Sequence, residues 1–458
     1  MQEDVKRMKR PTFPPKRFLS ALLMLLATFV SEAQTAWTLD SCIQYAMDHN
    51  IRLQQNILAQ QQADISLAQS REALFPSLSF STNHSLRYMP GASGSSQLSS
   101  DGTQIIQSTG STTYSGSYGL NAGVTVFNGG RNVKNIRLQE LNVAMAELDI
   151  AQQANTLQEQ IAQLYVQILY ATEAIQVNRA TLELAEQQRD RAQVLLEVGK
   201  LAKSDVAQLE AQVSNHNYQL VNAESQLRSY KLQLKQLLEI GDTAAFDISL
   251  PVLSDELALA PLPGLLETWE TARSSRPEIQ NSRLEVESAD LNVDIARAGY
   301  YPSVSVSAGA GTSAGGYENY GAALINNFNA TAGLSVSVPI YDQRQNKSAV
   351  QKARLQQQNS QLALQEEEKT LYSTIEGLWL DATTAQEKFR AAHSSVESAQ
   401  ESLHLVGEQF SVGLKNTIEL LTEKNNLLSA QQDMLQAKYT AILDAQLLRF
   451  YSGEKINL

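Results

Sequence analysis

The sequence has few of the residues that build chemical centres. It contains one cysteine, Cys42, and five histidines in 458 residues. A single cysteine excludes a disulfide framework and any cluster of several thiolates. Because the histidines are scattered along the chain, they offer little material for a metal or acid–base site. We therefore expect no catalytic residues, no cofactor and no metal site, and we do not expect an enzyme.

Charge is also scarce, since only 18% of the residues are charged while 43% are hydrophobic. That balance is too apolar for a disordered chain. The formal net charge is -12, and an excess of negative charge disfavours binding to a polyanion. We therefore predict that nucleic acid is not a partner.

Long apolar runs are absent except near the N-terminus, where Phe18 to Val30 form a run of 13 residues. Basic residues precede this run, and Ser31-Glu32-Ala33 follows it. This order is typical of a secretory signal peptide, and 13 residues are too short for a membrane-spanning helix. We predict cleavage near Ala33 and no lipid attachment, because no cysteine stands there. The mature chain is then periplasmic, secreted, or inserted in an outer membrane as strands.

An internal repeat organises the rest of the chain. Phe75-Pro76-Ser77 recurs as Tyr301-Pro302-Ser303 at an offset of 226, whereas Val198-Gly199 recurs as Val412-Gly413 at an offset of 214. The second copy is therefore 12 residues shorter, and the loss falls between Pro302 and Tyr341. A segment that tolerates such a change is expected to be a surface loop.

The repeat predicts four parts of the chain. These are a signal peptide (1–33), a first repeat (34–240), an inter-repeat linker (241–262) and a second repeat (263–458). The first repeat contains a helix, a strand hairpin (76–127) and a long helical hairpin (128–240). The second contains a helix, a strand hairpin (302–341), a long helical hairpin (342–452) and a short tail.

The helices are predicted from the absence of helix breakers. Leu39 to Leu74 lack glycine and proline, and so do the 68 residues from Arg131 to Val198. The apolar residues of the second segment recur every three or four positions, which is typical of a supercoiled seam. A helix of that length spans roughly 100 Å, so no compact domain could contain it.

The strands are predicted from an alternation of period two. Tyr118, Leu120, Ala122, Val124 and Val126 lie on one face of the first copy, and Ala332, Leu334, Val336, Val338 and Ile340 lie on one face of the second. The opposite face carries serine, threonine, glycine and asparagine. The pattern fits a membrane barrel strand, although a soluble sandwich shows the same alternation. The polar segments Met89–Thr113 and Thr312–Phe328 are expected to be hairpin tips.

Four strands cannot close a barrel, and lipid does not tolerate an open sheet edge. If these strands span a membrane, several chains must share one barrel. Two chains would give a barrel filled by side chains, whereas three would give 12 strands and a lumen.

Several segments together resemble the TolC family of outer-membrane efflux ducts. They are Phe75-Pro76-Ser77, Val126-Phe127-Asn128-Gly129-Gly130-Arg131, Glu197-Val198-Gly199 and Phe410-Ser411-Val412-Gly413. The resemblance implies a mainly α fold with membrane β-structure, in which a long-helix α-barrel continues a 12-stranded β-barrel shared by a homotrimer. It also implies a location in outer-membrane lipid with the helices in the periplasm. The implied partners are a periplasmic adaptor protein and an inner-membrane pump of the RND or ABC type.

The resemblance assigns roles to the helix turns. Val198, Gly199, Lys200 and Leu201, and in the second copy Val412, Gly413 and Leu414, are the expected adaptor-contact tips. A latch between Lys415 and Asp205 and an acidic ring of Glu419 are the expected gate. Thr422 and Phe410 depart from the family pattern, which has a carboxylate and a tyrosine there. Without the resemblance, the gate residues are ordinary charges near helix ends.

Two other functions fit parts of the sequence. The role of a structural periplasmic coiled-coil protein without conduit activity would account for the helices and the signal peptide, but not for the four alternating strands. The role of a secreted soluble enzyme would account for the signal peptide, but the sequence has no recognisable catalytic site.

Overall fold

The computed structural model describes residues 36–89, 97–98, 105–106, 111–241, 246–315 and 320–458. The predicted signal peptide lies outside this part of the chain. In chain order the elements are α1 (Leu39–His49), α2 (Ile51–Glu72), β1 (Ser77–Met89), β2 (Gln97–Leu98), β3 (Ile105–Ile106), β4 (Ser111–Asn128), α3 (Arg131–Glu197), α4 (Lys203–Leu237), α5 (Asp255–Ala258), α6 (Leu265–Ser275), α7 (Pro277–Arg297), β5 (Ser303–Gly315), α8 (Tyr320–Asn326), β6 (Asn329–Ser337), α9 (Gln345–Ser411) and α10 (Thr417–Tyr451).

The two long helical hairpins match each other in length. Helices α3 and α9 have 67 residues each, and the return helices α4 and α10 have 35 each. The length expected from the absence of breakers is therefore confirmed to within a residue for α3. No helix of the described residues is both long and apolar enough to cross a membrane.

The chain forms two compact units. The first comprises residues up to 48 with 161–254 and the last two residues, and the second comprises 49–160 with 255–456. The division falls inside α3, so each long helical hairpin belongs mainly to a different unit.

The first predicted helix is interrupted, so the continuous helix expected from Leu39 to Leu74 is wrong. The backbone of Asn50 is extended, with φ -64° and ψ 124°. Its side-chain oxygen accepts hydrogen bonds from the N–H groups of Arg52 and Leu53. Asparagine at this position satisfies donors that a helix start leaves without a partner, and α2 therefore begins anew at Ile51.

The four long strands form one antiparallel sheet in the order β1-β4-β5-β6. The register places Leu78 opposite Ala122, Val124 opposite Val306, and Val306 opposite Leu334. The predicted apolar residues thus share one face, and several are largely exposed in the single chain. Leu78 is 69% exposed and Leu334 is 68% exposed.

One feature of β4 was not predicted, and one detail of the strand prediction is wrong. The unpredicted feature is a β-bulge between Thr125 and Phe127, at which Phe127 pairs with Val304 and Val126 is the extra residue. Strand β6 ends at Ser337, so Val338 and Ile340 do not belong to it. Pro339 has no N–H to donate to a ladder, which explains why pairing ends before it.

The predicted hairpin tip Thr312–Phe328 is not a simple loop. Strand β5 extends to Gly315, and Tyr320–Asn326 form the short helix α8. The other predicted tip, Met89–Thr113, lies mostly outside the described residues.

Each turn that leads into a long helix has two consecutive residues with positive φ. Gly129 and Gly130 precede α3 with φ of 69° and 78°, and Gln343 and Arg344 precede α9 with φ of 53° and 69°. In the second turn, carboxylate oxygens of Asp342 accept the N–H groups of Arg344 at 3.1 Å and Asn346 at 2.7 Å. The offset of 214 between the copies is therefore also present in local geometry.

The first unit has a core at the start of the described chain. Trp37 pairs with Ile248 of the inter-repeat linker in a parallel bridge. The hydroxyl of Tyr165 donates to the carbonyl of Ser249 at 2.7 Å. Burial raises the pKa of the neighbouring Cys42 thiol to about 12, so this cysteine is a small core residue.

The second unit is packed around a cluster of Ala272, Ile279, Leu371, Ile375, Leu448 and Tyr451. Beside it, the guanidinium of Arg276 donates to Glu278 at 2.8 Å and to Glu159 at 3.2 Å, and it lies 4.0 Å from the ring centroid of Tyr451. Because Arg276 is nearly buried, its charge requires a partner, and both carboxylates lie within hydrogen-bonding distance of it. This network connects α3, α7 and α10 within the unit.

Candidate functional site

The first hairpin tip is a tight turn between α3 and α4. Gly199 adopts φ 72°, and its N–H donates to the carbonyl of Leu196 at 2.9 Å, while that of Lys200 donates to Leu195 at 2.8 Å. These two bonds define a Schellman motif, which requires a left-handed residue and therefore favours glycine. Val198 is left 61% exposed, and Leu201 is half-buried.

The second hairpin tip repeats the motif. Gly413 adopts φ 79°, and its N–H donates to Phe410 at 3.0 Å, while that of Leu414 donates to Gln409 at 2.9 Å. Val412 and Leu414 are 70% and 75% exposed. Both tips therefore present apolar side chains on a rigid turn. Isolated apolar residues are common on surfaces, but a pair fixed on such a turn can serve as a contact point.

The two predicted gate residues of the second hairpin interact with each other. Lys415 Nζ lies 2.5 Å from Glu419 Oε1, and Glu419 Oε2 accepts the N–H of Asn416 at 3.0 Å. The Asn416 side chain in turn accepts the N–H of Glu419 at 2.9 Å, which completes a capping box at the start of α10. The bond from Lys415, followed by that from the Asn416 backbone, lowers the pKa of Glu419.

Asp205 occupies the corresponding place in the first hairpin. It is the third residue of α4, as Glu419 is of α10, where a carboxylate interacts favourably with the helix dipole. The cap residue Ala202 makes no side-chain hydrogen bond. The latch between Asp205 and Lys415 stays a prediction.

Sequence reasoning missed two residues of this region. The first is Asn416, although asparagine followed three residues later by Glu419 is a recognisable start signal of a helix. The second is Lys424, which lines a groove of about 460 Å³ between α9 and α10. Burial lowers the pKa of Lys424. No sequence signal could find it, because its burial depends on how two helices pack.

The departures at Thr422 and Phe410 are accommodated locally. The hydroxyl of Thr422 donates to the carbonyl of Ile418 at 2.9 Å within its own helix. Phe410 supplies a carbonyl to the Schellman motif and is 37% exposed.

Comparison with known proteins identifies the family of the chain. The family model described as outer membrane efflux protein matches residues 42–239 and 269–454. These two segments span most of the chain and coincide with the two repeats. The chain belongs to the outer membrane efflux protein family.

Two curated relatives and one solved structure illustrate the family. The alkaline protease secretion protein AprF of Pseudomonas aeruginosa is 24% identical over 66% of this chain and 62% of its own. The outer membrane protein TolC of Escherichia coli is 25% identical over 62% of this chain and 58% of its own. The crystal structure of CusC superposes with a TM-score of 0.77 at 19% identity, covering 92% of this chain and 95% of that one.

The likeness to CusC shows that the chain has the fold of the efflux family. The resemblance read from the helix turns and strand pattern is thereby confirmed. The chain spans about 60% of the length of the two curated relatives that it matches.

Proposed function

We propose that the protein is the outer-membrane duct of a tripartite efflux or type I secretion system. In this role it passively conducts small molecules or proteins that an inner-membrane pump of the RND or ABC type delivers. The proposal rests on membership of the efflux family and on the arrangement of two long helical hairpins with one exposed apolar sheet. The relatives fit it, since AprF is named as a secretion protein and CusC is described as forming a transmembrane channel.

The sheet carries the argument for assembly. In the described chain β1 and β6 are the outer strands of the sheet, and each leaves one row of backbone groups for another partner. In lipid such edges must be paired. Three copies would supply 12 strands and enclose a lumen lined by the serine, glycine and asparagine face. The proposed protein is therefore a homotrimer in the outer membrane, with its helices in the periplasm.

The hairpin tips are the proposed contact points for a periplasmic adaptor. Val198 and Lys200 at the first tip, and Val412 and Leu414 at the second, lie on glycine turns far from the sheet along the chain. The apolar side chains would be buried by the partner, and the rigid turns would lose little entropy on binding.

The proposed gate lies next to these tips. In the closed duct we propose that Lys415 bonds to Asp205, while three Glu419 carboxylates approach a common axis. The ion pair between Lys415 and Glu419 supports this proposal, because the same ammonium could pair with either carboxylate. Lys415 would pair with Asp205 in the closed duct and with Glu419 in the open duct.

The mass of the purified protein in detergent tests the assembly. Native mass measurement should give three chains, and a result of one or two would contradict a shared 12-stranded barrel. Planar bilayers test the duct itself, since the trimer should conduct ions. A structural periplasmic coiled-coil protein, the alternative function, would give no conductance and would not change its gel migration on heating.

A further inference from the structure

The short helix α8 and the residues up to Phe328 form a feature that the proposed function does not use. We call residues 320–328 the rim helix segment. The connection from β5 to β6 has one charged residue in its sequence, Glu318, and the rim helix segment itself has none. Ile325 is 79% exposed and Phe328 is 64% exposed. Large apolar side chains that are exposed together on one short segment are typical of a surface that contacts lipid or another apolar partner.

The segment is held against its own sheet by specific contacts. The hydroxyl of Thr312 donates to the carbonyl of Leu324, and the side-chain amide of Asn327 donates to the carbonyl of Ser313 at 2.6 Å. The ring of Tyr320 lies 5.6 Å from that of Tyr114. A Cβ atom at Gly116 would lie only 2.0 Å from the Tyr320 hydroxyl. The glycine therefore leaves the space into which Tyr320 fits.

These contacts place the segment on the apolar face. Thr312 pairs with Tyr118, and Gly116 pairs with His84, in the same alternation as Leu78 and Leu86. Close to the rim helix segment this face also carries polar groups, since the hydroxyl of Tyr114 lies 2.8 Å from Nδ1 of His84. Tyrosine and similar rings with one polar edge are typical of the boundary between lipid tails and headgroups.

The spacing along the sheet agrees with that boundary. Strand β1 rises about 27 Å between Leu78 and Leu86, which corresponds to about 20 Å of depth at the usual tilt. The apolar band of an outer-membrane barrel is about 25 Å tall. The segment thus lies at the outer end of the band.

We propose that the rim helix segment lies in the headgroup layer of the outer leaflet and inserts Ile325 and Phe328 into lipid. This inference rests on the proposed function, because it requires the sheet to span the membrane. The segment would fix the depth and rotation of the barrel, as interfacial aromatic and apolar residues do in other membrane proteins.

Spin labels test the depth of Ile325. In a Cys42→Ala background, single labels are attached at Ile325→Cys, at Leu334→Cys on the apolar face, and at Ser335→Cys on the polar face. The protein is reconstituted in phosphatidylcholine vesicles, and collisions with oxygen and with a water-soluble nickel chelate are measured. The ratio of oxygen to nickel collisions at Ile325 should be several-fold higher than at Ser335 and approach that at Leu334.

A ratio at Ile325 equal to that at Ser335 would overturn the proposal and indicate a loop in water. A label that neither reagent reaches would also overturn it and indicate burial against another copy. If the label at Leu334 itself is accessible to nickel, the sheet does not face lipid, and the proposed function fails instead.

Two glycine substitutions test the attachment to the sheet. Gly116→Ala should expel Tyr320 and raise nickel collisions at Ile325 several-fold. Gly119→Ala is the matched control, because its Cβ would meet Ser81 and Asn121 only at ordinary distances of 3.4 and 3.5 Å. Equal effects of the two substitutions, or none from either, would contradict the contact between Tyr320 and the sheet.

Discussion

The ammonium of Lys415 lies 2.5 Å from a carboxylate oxygen of Glu419, one turn further along the chain. Each side chain is more than one third exposed, so water and salt screen the pair. The same carboxylate also closes the capping box of α10 through Asn416. One side chain therefore serves the start of a helix and the candidate gate at once.

The first prediction concerns this pair. Lys415→Ala should raise the conductance of the proposed trimer in planar bilayers, because the proposed closed state loses its latch to Asp205. It should also strengthen block by multivalent cations from the periplasmic side, since Glu419 loses the ammonium that now neutralises it. Glu419→Ala should weaken the block. Glu387→Gln on α9 removes a charge elsewhere and is the control.

If neither change at the gate alters conductance or block, Lys415 and Glu419 are ordinary surface charges. If Lys415→Ala weakens the block in the same way as Glu419→Ala, the ammonium does not shield the carboxylate.

The second prediction concerns the unequal caps of the two return helices. Asn416→Ala should destabilise the first turn of α10 by about 1 kcal/mol. Ala202→Asn should stabilise α4 by a similar amount, because the backbone of Ala202 already has the extended φ of -80° and ψ of 149° of a cap residue. Amide hydrogen exchange at the first turn of each helix measures both changes. Slower exchange in Asn416→Ala would contradict the role of the cap.

The regular elements could be predicted because their signals are local. Sixty-eight residues without glycine or proline have few alternatives to a helix, and the turns at Gly199 and Gly413 need a left-handed residue whatever the function is. The four strands and their two faces followed from the alternation alone. These features also carried the resemblance to the efflux family.

The sequence analysis missed features where a single residue interrupts a regular helix or strand pattern. Asn50 ends a helix although its neighbours favour one, and the bulge at Val126 leaves no trace in an alternation that continues through it. The rim helix segment was missed because glycine and asparagine in its sequence favour a loop, whereas contacts from Thr312 and Ser313 to the segment favour the helix. Such contacts join parts of the chain that only the fold brings together.

The third prediction concerns the left-handed turns before the long helices. Arg344→Gly should stabilise the protein by about 1 kcal/mol, because a side chain at φ 69° is strained. Gly130→Ala should have the opposite effect of similar size, since its Cβ would meet no atom within 4 Å and only the backbone strain remains. Thermal unfolding of the two variants and the parent in detergent measures the differences. Equal midpoints would show that the turn relaxes to a different backbone.

The last prediction concerns Asp444, which lines a groove between α9 and α10 together with Asp381, Lys388 and Asp433. Burial, and to a smaller extent the charge of Asp381, raises the pKa of Asp444 to about 6. A carboxyl whose pKa is raised by folding stabilises the protein while it is protonated. That contribution is complete below the unfolded pKa near 4 and is lost as the pH rises through about 6.

Asp444→Asn should therefore stabilise the protein at pH 8, by about 1–3 kcal/mol once the raised pKa is discounted for the partial exposure of the carboxyl. At pH 4 the difference should vanish, because the aspartic acid is then neutral as well. Asp433→Asn makes the same chemical change in the same groove and is the matched control. Denaturant midpoints of the three proteins between pH 4 and pH 8 measure the effect. A stabilisation by Asp444→Asn that is the same at both ends of this range would show that it comes from packing, and not from the charge that Asp444 carries in the groove at high pH.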